Sequence, residues 1–126
     1  MEDKIKKVNE LLLKGEPDNI SEDTYSGFKK SGYSPQYVVD AMNAVFGIDG
    51  WGFKDIYNKF ANGEVVAKVK VWIGDITISR TAYGGEVKRE KQNYGDCKKS
   101  AQTDALKKAL SYFSVGNRAY HGKLSK

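Results

Sequence analysis

The chain has 126 residues, 40% apolar and 29% charged, with a formal charge of +5 and a pI of about 9.2. That composition excludes disorder as the dominant state, and the length predicts one domain over residues 1–126 with a single core. No run approaches the roughly 20 apolar residues of a membrane helix, and Met1 to Lys14 is charged throughout, unlike a signal sequence, so a cytoplasmic protein is expected.

In chain order, Ile5, Val8, Leu11 and Leu12 recur at helical spacing, which predicts a short amphipathic helix over Asp3 to Lys14, ended by Gly15 with Pro17 beyond. Glu16 to Ser34 is polar and without sustained periodicity; it reads as a loop with one short extended piece around Tyr25 to Lys30. Ser34 and Pro35 have the character of an N-cap and a first helical residue. Val38, Ala41, Met42 and Val45 then line one face of a second helix as far as Gly47.

From Trp51 the residues become aromatic and β-branched. Asn62-Gly63 is a hairpin signal between strands Trp51 to Phe60 and Glu64 to Ile73. In the second strand Val65, Ala67, Val69, Val71 and Ile73 alternate with Val66, Lys68, Lys70 and Trp72, which predicts a core face and a wet face. Gly74-Asp75 turns the chain into a third strand, Ile76 to Ala82, stopped by Gly84-Gly85. Glu86 to Gly95 is a basic, exposed connection. Asp96 is a plausible N-cap for a last helix running to about Ser114, with an apolar stripe of Ala101, Ala105, Leu106, Ala109, Leu110 and Phe113. The fold class is therefore α+β: helix, three-stranded antiparallel meander, and a long basic helix packed on the sheet, with residues 115–126 as a polar tail.

The charge is unevenly placed. Residues 1–50 carry six lysines against nine acids, a net of −3, whereas residues 51–126 carry fifteen basic residues against seven acids, a net of +8. Clustered positive charge favours polyphosphate partners through counterion release. On the last helix Lys99, Thr103 and Lys107 follow one another at i, i+4 spacing, with Lys108 flanking. Lys98 and Lys99 fall in the first turn of a helix capped at Asp96, where the helix dipole disfavours cations and a functional reason for them is invited. Lys88 and Arg89 make the preceding connection basic, and Trp72 stands beside Lys70 on the wet strand face, a pairing of ring and cation used by single-strand binders. The bland alternative is a solvated lysine face.

Catalytic chemistry finds little support. The lone Cys97 forms no intramolecular disulfide and, with only His121 to join it, no structural zinc site; it reads as a small buried residue. His121 has no evident nucleophile partner. Asp55, Glu64 and Lys68 give a loose echo of a metal nuclease, and no Gly-rich phosphate loop occurs. No catalytic residue, metal or cofactor is assigned.

Two segments resemble a known family. Val38 to Trp51, with Phe46-Gly47-Ile48-Asp49-Gly50-Trp51, is similar to the helix and FGxxGW turn of the Rad fifty-two annealing proteins. Lys98 to Leu110, with Ala101-Gln102-Thr103-Asp104-Ala105-Leu106-Lys107-Lys108-Ala109-Leu110, resembles their basic helix. Weaker agreement lies at Pro17 to Ser21 and at Tyr83-Gly84, so the resemblance spans a core of about 11–114. It implies single-stranded DNA binding and annealing in recombination and repair, by a homo-oligomeric ring that needs no ATP or metal and holds DNA in an outer groove. Lys107 and Lys108 match basic residues of that groove, and Lys88 matches another across a gap. Tyr37 and Ser111 stand where the family has basic residues. The chain ends soon after the core, as in compact phage or bacterial members found at the nucleoid or in the phage-infected cell; a single-strand-binding protein or a recombinase is a possible partner.

Two rivals remain at this stage. One is a double-stranded-RNA-binding domain, which shares the helix, three strands and helix but has a Gly-Pro-x-His segment where this chain has Ala61-Asn62-Gly63-Glu64. The other is an oligomeric scaffold with no nucleic-acid role.

Overall fold

The computed structural model describes residues 1–14, 20–23 and 30–116. The elements run α1 (Glu2–Lys14), β1 (Ile20–Asp23), β2 (Lys30–Tyr33), α2 (Pro35–Phe46), β3 (Trp51–Ala61), β4 (Glu64–Ile73), β5 (Ser79–Val87) and α3 (Tyr94–Ser111). The fold is α+β, with a three-stranded antiparallel sheet in the order β3-β4-β5 and a separate antiparallel pair, β1-β2. The described residues group into two units, one holding residues 1–48 and those from Ser114 onward, the other Asp49–Phe113.

In the first unit α1 and α2 lie against each other, with Val8, Leu12, Val38, Ala41 and Met42 buried. Tyr37 donates its hydroxyl to the carbonyls of Leu11 (2.6 Å) and Leu12 (2.8 Å), satisfying acceptors that the last turn of α1 leaves open. Asn9 holds the segment Ser114 to Gly116 to α1: its amide donates to the Ser114 carbonyl and its oxygen accepts from Gly116 N–H, each at 2.9 Å. Ser34 stands at the cap position of α2, but its side chain makes no cap bond; Pro35 at the first turn sets the helical φ. The loop expected over Glu16 to Ser34 instead contains the β1-β2 pair, registered Ile20 to Tyr33 and Asp23 to Lys30. Of the extended piece expected around Tyr25 to Lys30, residues 25–29 lie outside the described residues, as do Gly15 and Pro17.

In the second unit Asn62 (φ 55°) and Gly63 (φ 76°) form the left-handed pair of a tight turn whose twist suits a hairpin, and β3 and β4 pair from Ala61 and Glu64 outward. The register slips at Ile56, where β3 bulges by one residue between Asp55 and Tyr57. The alternation on β4 is as expected: Val65, Ala67, Val69, Val71 and Ile73 are buried and Val66, Lys68, Lys70 and Trp72 are half-buried.

β5 departs from expectation at both ends. Ile76 and Ile78 belong to the turn, 56% and 41% exposed, because Asp75 Oδ1 accepts from both the N–H and the hydroxyl of Thr77 and fixes a local side-chain turn. At the other end the strand continues through Gly84 and Gly85 to Val87. Gly84 is buried where α3 approaches: a Cβ there would run into the Ala101 carbonyl oxygen and the Ala105 backbone. The glycine is a helix-packing device, not a breaker.

α3 begins earlier than expected. Asn93 is the N-cap, accepting from Asp96 N–H at 2.8 Å, while its amide donates to the Asp96 carboxylate at 3.0 Å. Asp96 is thus the third helical residue in a reciprocal capping arrangement. Cys97, Ala101, Ala105, Leu106, Ala109 and Leu110 are buried, and the Cys97 thiol donates to the Glu86 carbonyl. The helix ends at Ser111 rather than Ser114, with a tight turn through Phe113. Among the described residues no helix is long and apolar enough to cross a membrane.

Candidate nucleic-acid interface

The expected DNA-contacting residues fall on two opposite sides of the second unit. The contact of Gly84 with Ala101 and Ala105, and a bond from Gly85 N–H to Asp104 Oδ2 (3.3 Å), place α3 over the face of the sheet that holds Val65, Ala67 and Ala82. Lys88, Arg89, Lys98, Lys99, Thr103, Lys107 and Lys108 belong to α3 or its approach. Lys70 and Trp72 project from the other face, because successive strand residues point to opposite sides. The sheet therefore separates the two groups.

On α3 the cations are not equivalent. At 3.6 residues per turn, Lys99 and Lys107 are about 80° apart on one flank, whereas Lys108 is about 180° from Lys99. Lys99 is exposed and Lys98, Lys107 and Lys108 are half-buried. Lys108 pairs with Asp104 at 3.0 Å, which cancels part of the charge on its flank. Burial holds the Lys107 ammonium below the ordinary lysine value of 10.5, and nearby Asp104 only partly offsets this. Thr103 donates its hydroxyl to the Lys99 carbonyl at 2.9 Å, leaving the oxygen able to accept. The start at Tyr94 removes one argument: Lys98 and Lys99 lie in the second turn, beyond the strongest opposition of the helix dipole.

The connection from Lys88 to Asn93 is bonded both within itself and to the strands beside it. Lys88 N–H donates to the Gly63 carbonyl at 2.8 Å, Arg89 N–H to Gln92 Oε1 at 3.2 Å, and the Arg89 guanidinium pairs with Glu86 at 2.9 Å. Arg89 is thus tied to a carboxylate, while Lys88 remains half-buried close to the β3-β4 turn. The two positions where the family's basic residues are replaced both have local work. Tyr37 caps α1, and the Ser111 hydroxyl donates to the Lys108 carbonyl within its own helix.

The open face of the sheet is more organised than its sequence suggested. Register places Tyr57, Lys68 and Tyr83 side by side across the three strands, and Lys54, Lys70 and Thr81 in the next row. Lys68 Nζ lies 6.0 Å from the Tyr57 ring centre and 5.4 Å from that of Tyr83, and the two rings meet edge-on at 6.3 Å. The interaction of the two phenols lowers the Tyr83 phenol from 10.0, helped by Lys68, and raises that of Tyr57. Trp72 lies against Gly52 of β3, where a Cβ would come within 2.8 Å of the indole Cε2, so glycine makes room for the ring. Tyr57 and Tyr83 are brought together only through Lys68 of the central strand, a pairing across three strands that no local spacing displays.

The residues that echoed a metal nuclease do not converge. Asp55 is on the α3 side, accepting from Asn58 and Gln102, while Glu64 and Lys68 are on the open face. Among the described residues no group of three or more His, Cys, Asp or Glu is placed to hold a metal ion, and His121 lies outside them.

Comparison with known proteins gives one family. The profile described as Rad52/22 family double-strand break repair protein matches residues 4–126. A search of curated proteins finds no match.

Proposed function

Because the chain belongs to the Rad52/22 family of double-strand break repair proteins, we propose that it binds single-stranded DNA and anneals complementary strands without ATP, as one annealing domain repeated around a homo-oligomeric ring. The observation that carries this reading is the match over residues 4–126, which takes in α3 and its basic flank entire. On one flank Lys99 and Lys107 contact phosphates with Thr103 between them; Lys98 and Lys108 stand on the opposite flank with Lys88 and Arg89 in the approach, and Lys108 and Arg89 contribute once phosphate competes for them with Asp104 and Glu86.

Annealing of this kind requires no bond chemistry. Two strands approach slowly because their phosphates repel; cations that neutralise one backbone and hold it extended let bases test one another at high effective concentration. Specificity comes from base pairing. The protein works as a non-catalytic surface in recombination and repair in the cytoplasm, and a single-strand-binding protein or recombinase would deliver or receive the strand.

The test is light-scattering chromatography of the purified chain, followed by annealing of two complementary fluorescent oligonucleotides without ATP or added metal. A large oligomer that accelerates annealing is the expected result. A monomer that prefers duplex RNA, or a large oligomer without affinity for nucleic acid, would overturn the reading.

A further inference from the structure

The open face of the β3-β4-β5 sheet breaks a rule of sheet stability in a way that specifies a ligand. Lys54 and Lys70 are direct cross-strand partners, and Lys68 is two residues from Lys70 on the same face. Like charges directly opposite on a sheet are destabilising. Across the paired positions of this face the one carboxylate is Glu64, at the far end beside Gly85, so the lysine row has no acid among its cross-strand neighbours. Exposed rings stand within the same few rows: Tyr57 is 43% and Tyr83 52% exposed, with Trp72 half-buried four residues from Lys68. Four strand residues span about 13 Å, room for a short stretch of extended polynucleotide.

We infer that this open face is a second contact surface for single-stranded DNA, separate from the α3 flank, in which Tyr57, Tyr83 and Trp72 receive unpaired bases and Lys54, Lys68 and Lys70 receive phosphates. The inference rests on the proposed single-strand binding and adds a site to it. Rings that offer a π-face beside cations bind any base sequence, as an annealing protein requires. Charge decides against the same face of a second copy as the occupant. Two such faces packed together would oppose lysine to lysine, whereas a polyphosphate supplies the anions that the Lys54–Lys70 pair lacks. The sheet lies between this surface and α3, so the two sites act on different stretches of DNA.

The experiment uses the full chain and an oligothymidylate carrying 5-iododeoxyuridine, with near-ultraviolet cross-linking and mass-spectrometric mapping of the attached residue. It is performed on the natural chain and on the Lys99→Ala/Lys107→Ala/Lys108→Ala variant. Cross-links to Tyr57, Tyr83 or Trp72 in both proteins are expected. Two further variants measure the energetics by anisotropy: Tyr83→Ala lowers affinity about tenfold, within the range for one stacked base, and Lys54→Gln/Lys70→Gln lowers the salt slope by about 1.4, at roughly 0.7 per phosphate contact. Cross-links confined to α3 and its approach would overturn the inference and leave the proposed function standing. So would unchanged affinity in Lys54→Gln/Lys70→Gln accompanied by a changed oligomer size, which would assign the face to a second copy. A natural chain that binds no single strand at all removes both.

Discussion

The two faces of the β3-β4-β5 sheet are built from the same strands but solve different problems. The α3 side is closed by small and branched apolar residues, with Gly84 letting the helix backbone come close to the strand and Asp104 reaching across to Gly85 N–H. The other side carries Lys54, Lys68 and Lys70 among three rings, with a like-charge pair in register. One face is specified by packing, and at Gly84 it has no room for an added side-chain atom. The other accepts an electrostatic cost that packing does not require, which is the mark of a surface shaped for a partner.

Substitutions on either face perturb the molecule differently. The largest effect is expected at Gly84→Val, where the new side chain would meet the Ala101 carbonyl and Ala105 backbone; stability falls by about 3 kcal/mol, read by urea unfolding. Asn93→Ala removes the cap bond to Asp96 and costs about 1 kcal/mol in the same assay. On the open face the sign reverses: Lys54→Gln relieves the repulsion with Lys70 and raises stability by a few tenths of a kcal/mol while weakening DNA binding. A loss of stability there would remove the distinction between the faces.

The smallest effect concerns pH. Lys107 is depressed below 10.5, so between its folded value and 10.5 the unfolded chain holds more protons than the folded one, and this residue's contribution to stability rises with pH in that window. A phosphate beside Lys107 has the opposite linkage: it favours the protonated amine, so binding takes up a proton and affinity declines as pH enters the same window. Lys107→Arg, charged throughout, should flatten that decline by a few-fold in an affinity titration against pH.

Much of this architecture was legible in the sequence. The period of two on β4, the Asn62-Gly63 turn and the apolar positions of α3 are local signals that agree with the tertiary packing. The failures have physical causes. Gly84-Gly85 resembled a breaker because a glycine that admits a helix and a glycine that ends a strand are identical in sequence. Ile76 and Ile78 extended the apolar alternation into a turn held by Asp75. Asn93 and Asp96 are both cap residues, and only their mutual bonds reveal which is the cap. The lysine row of α3 was visible by spacing, but the pairing of Lys108 with Asp104 and the burial of Lys107 depend on neighbours that spacing does not display. Lys54 could not be placed opposite Lys70 without the bulge at Ile56, which moves Lys54 to the open face and Asp55 to the α3 side.

Phosphate binding along α3 is read in the salt dependence of oligothymidylate affinity for the natural chain and for Lys99→Ala/Lys107→Ala/Lys108→Ala, with folding and oligomer size verified for both. Weaker binding and a slope shallower by about 2 are expected in the variant, at roughly 0.7 per lost phosphate contact. An unchanged affinity and slope in a folded variant of unchanged oligomer size would contradict it.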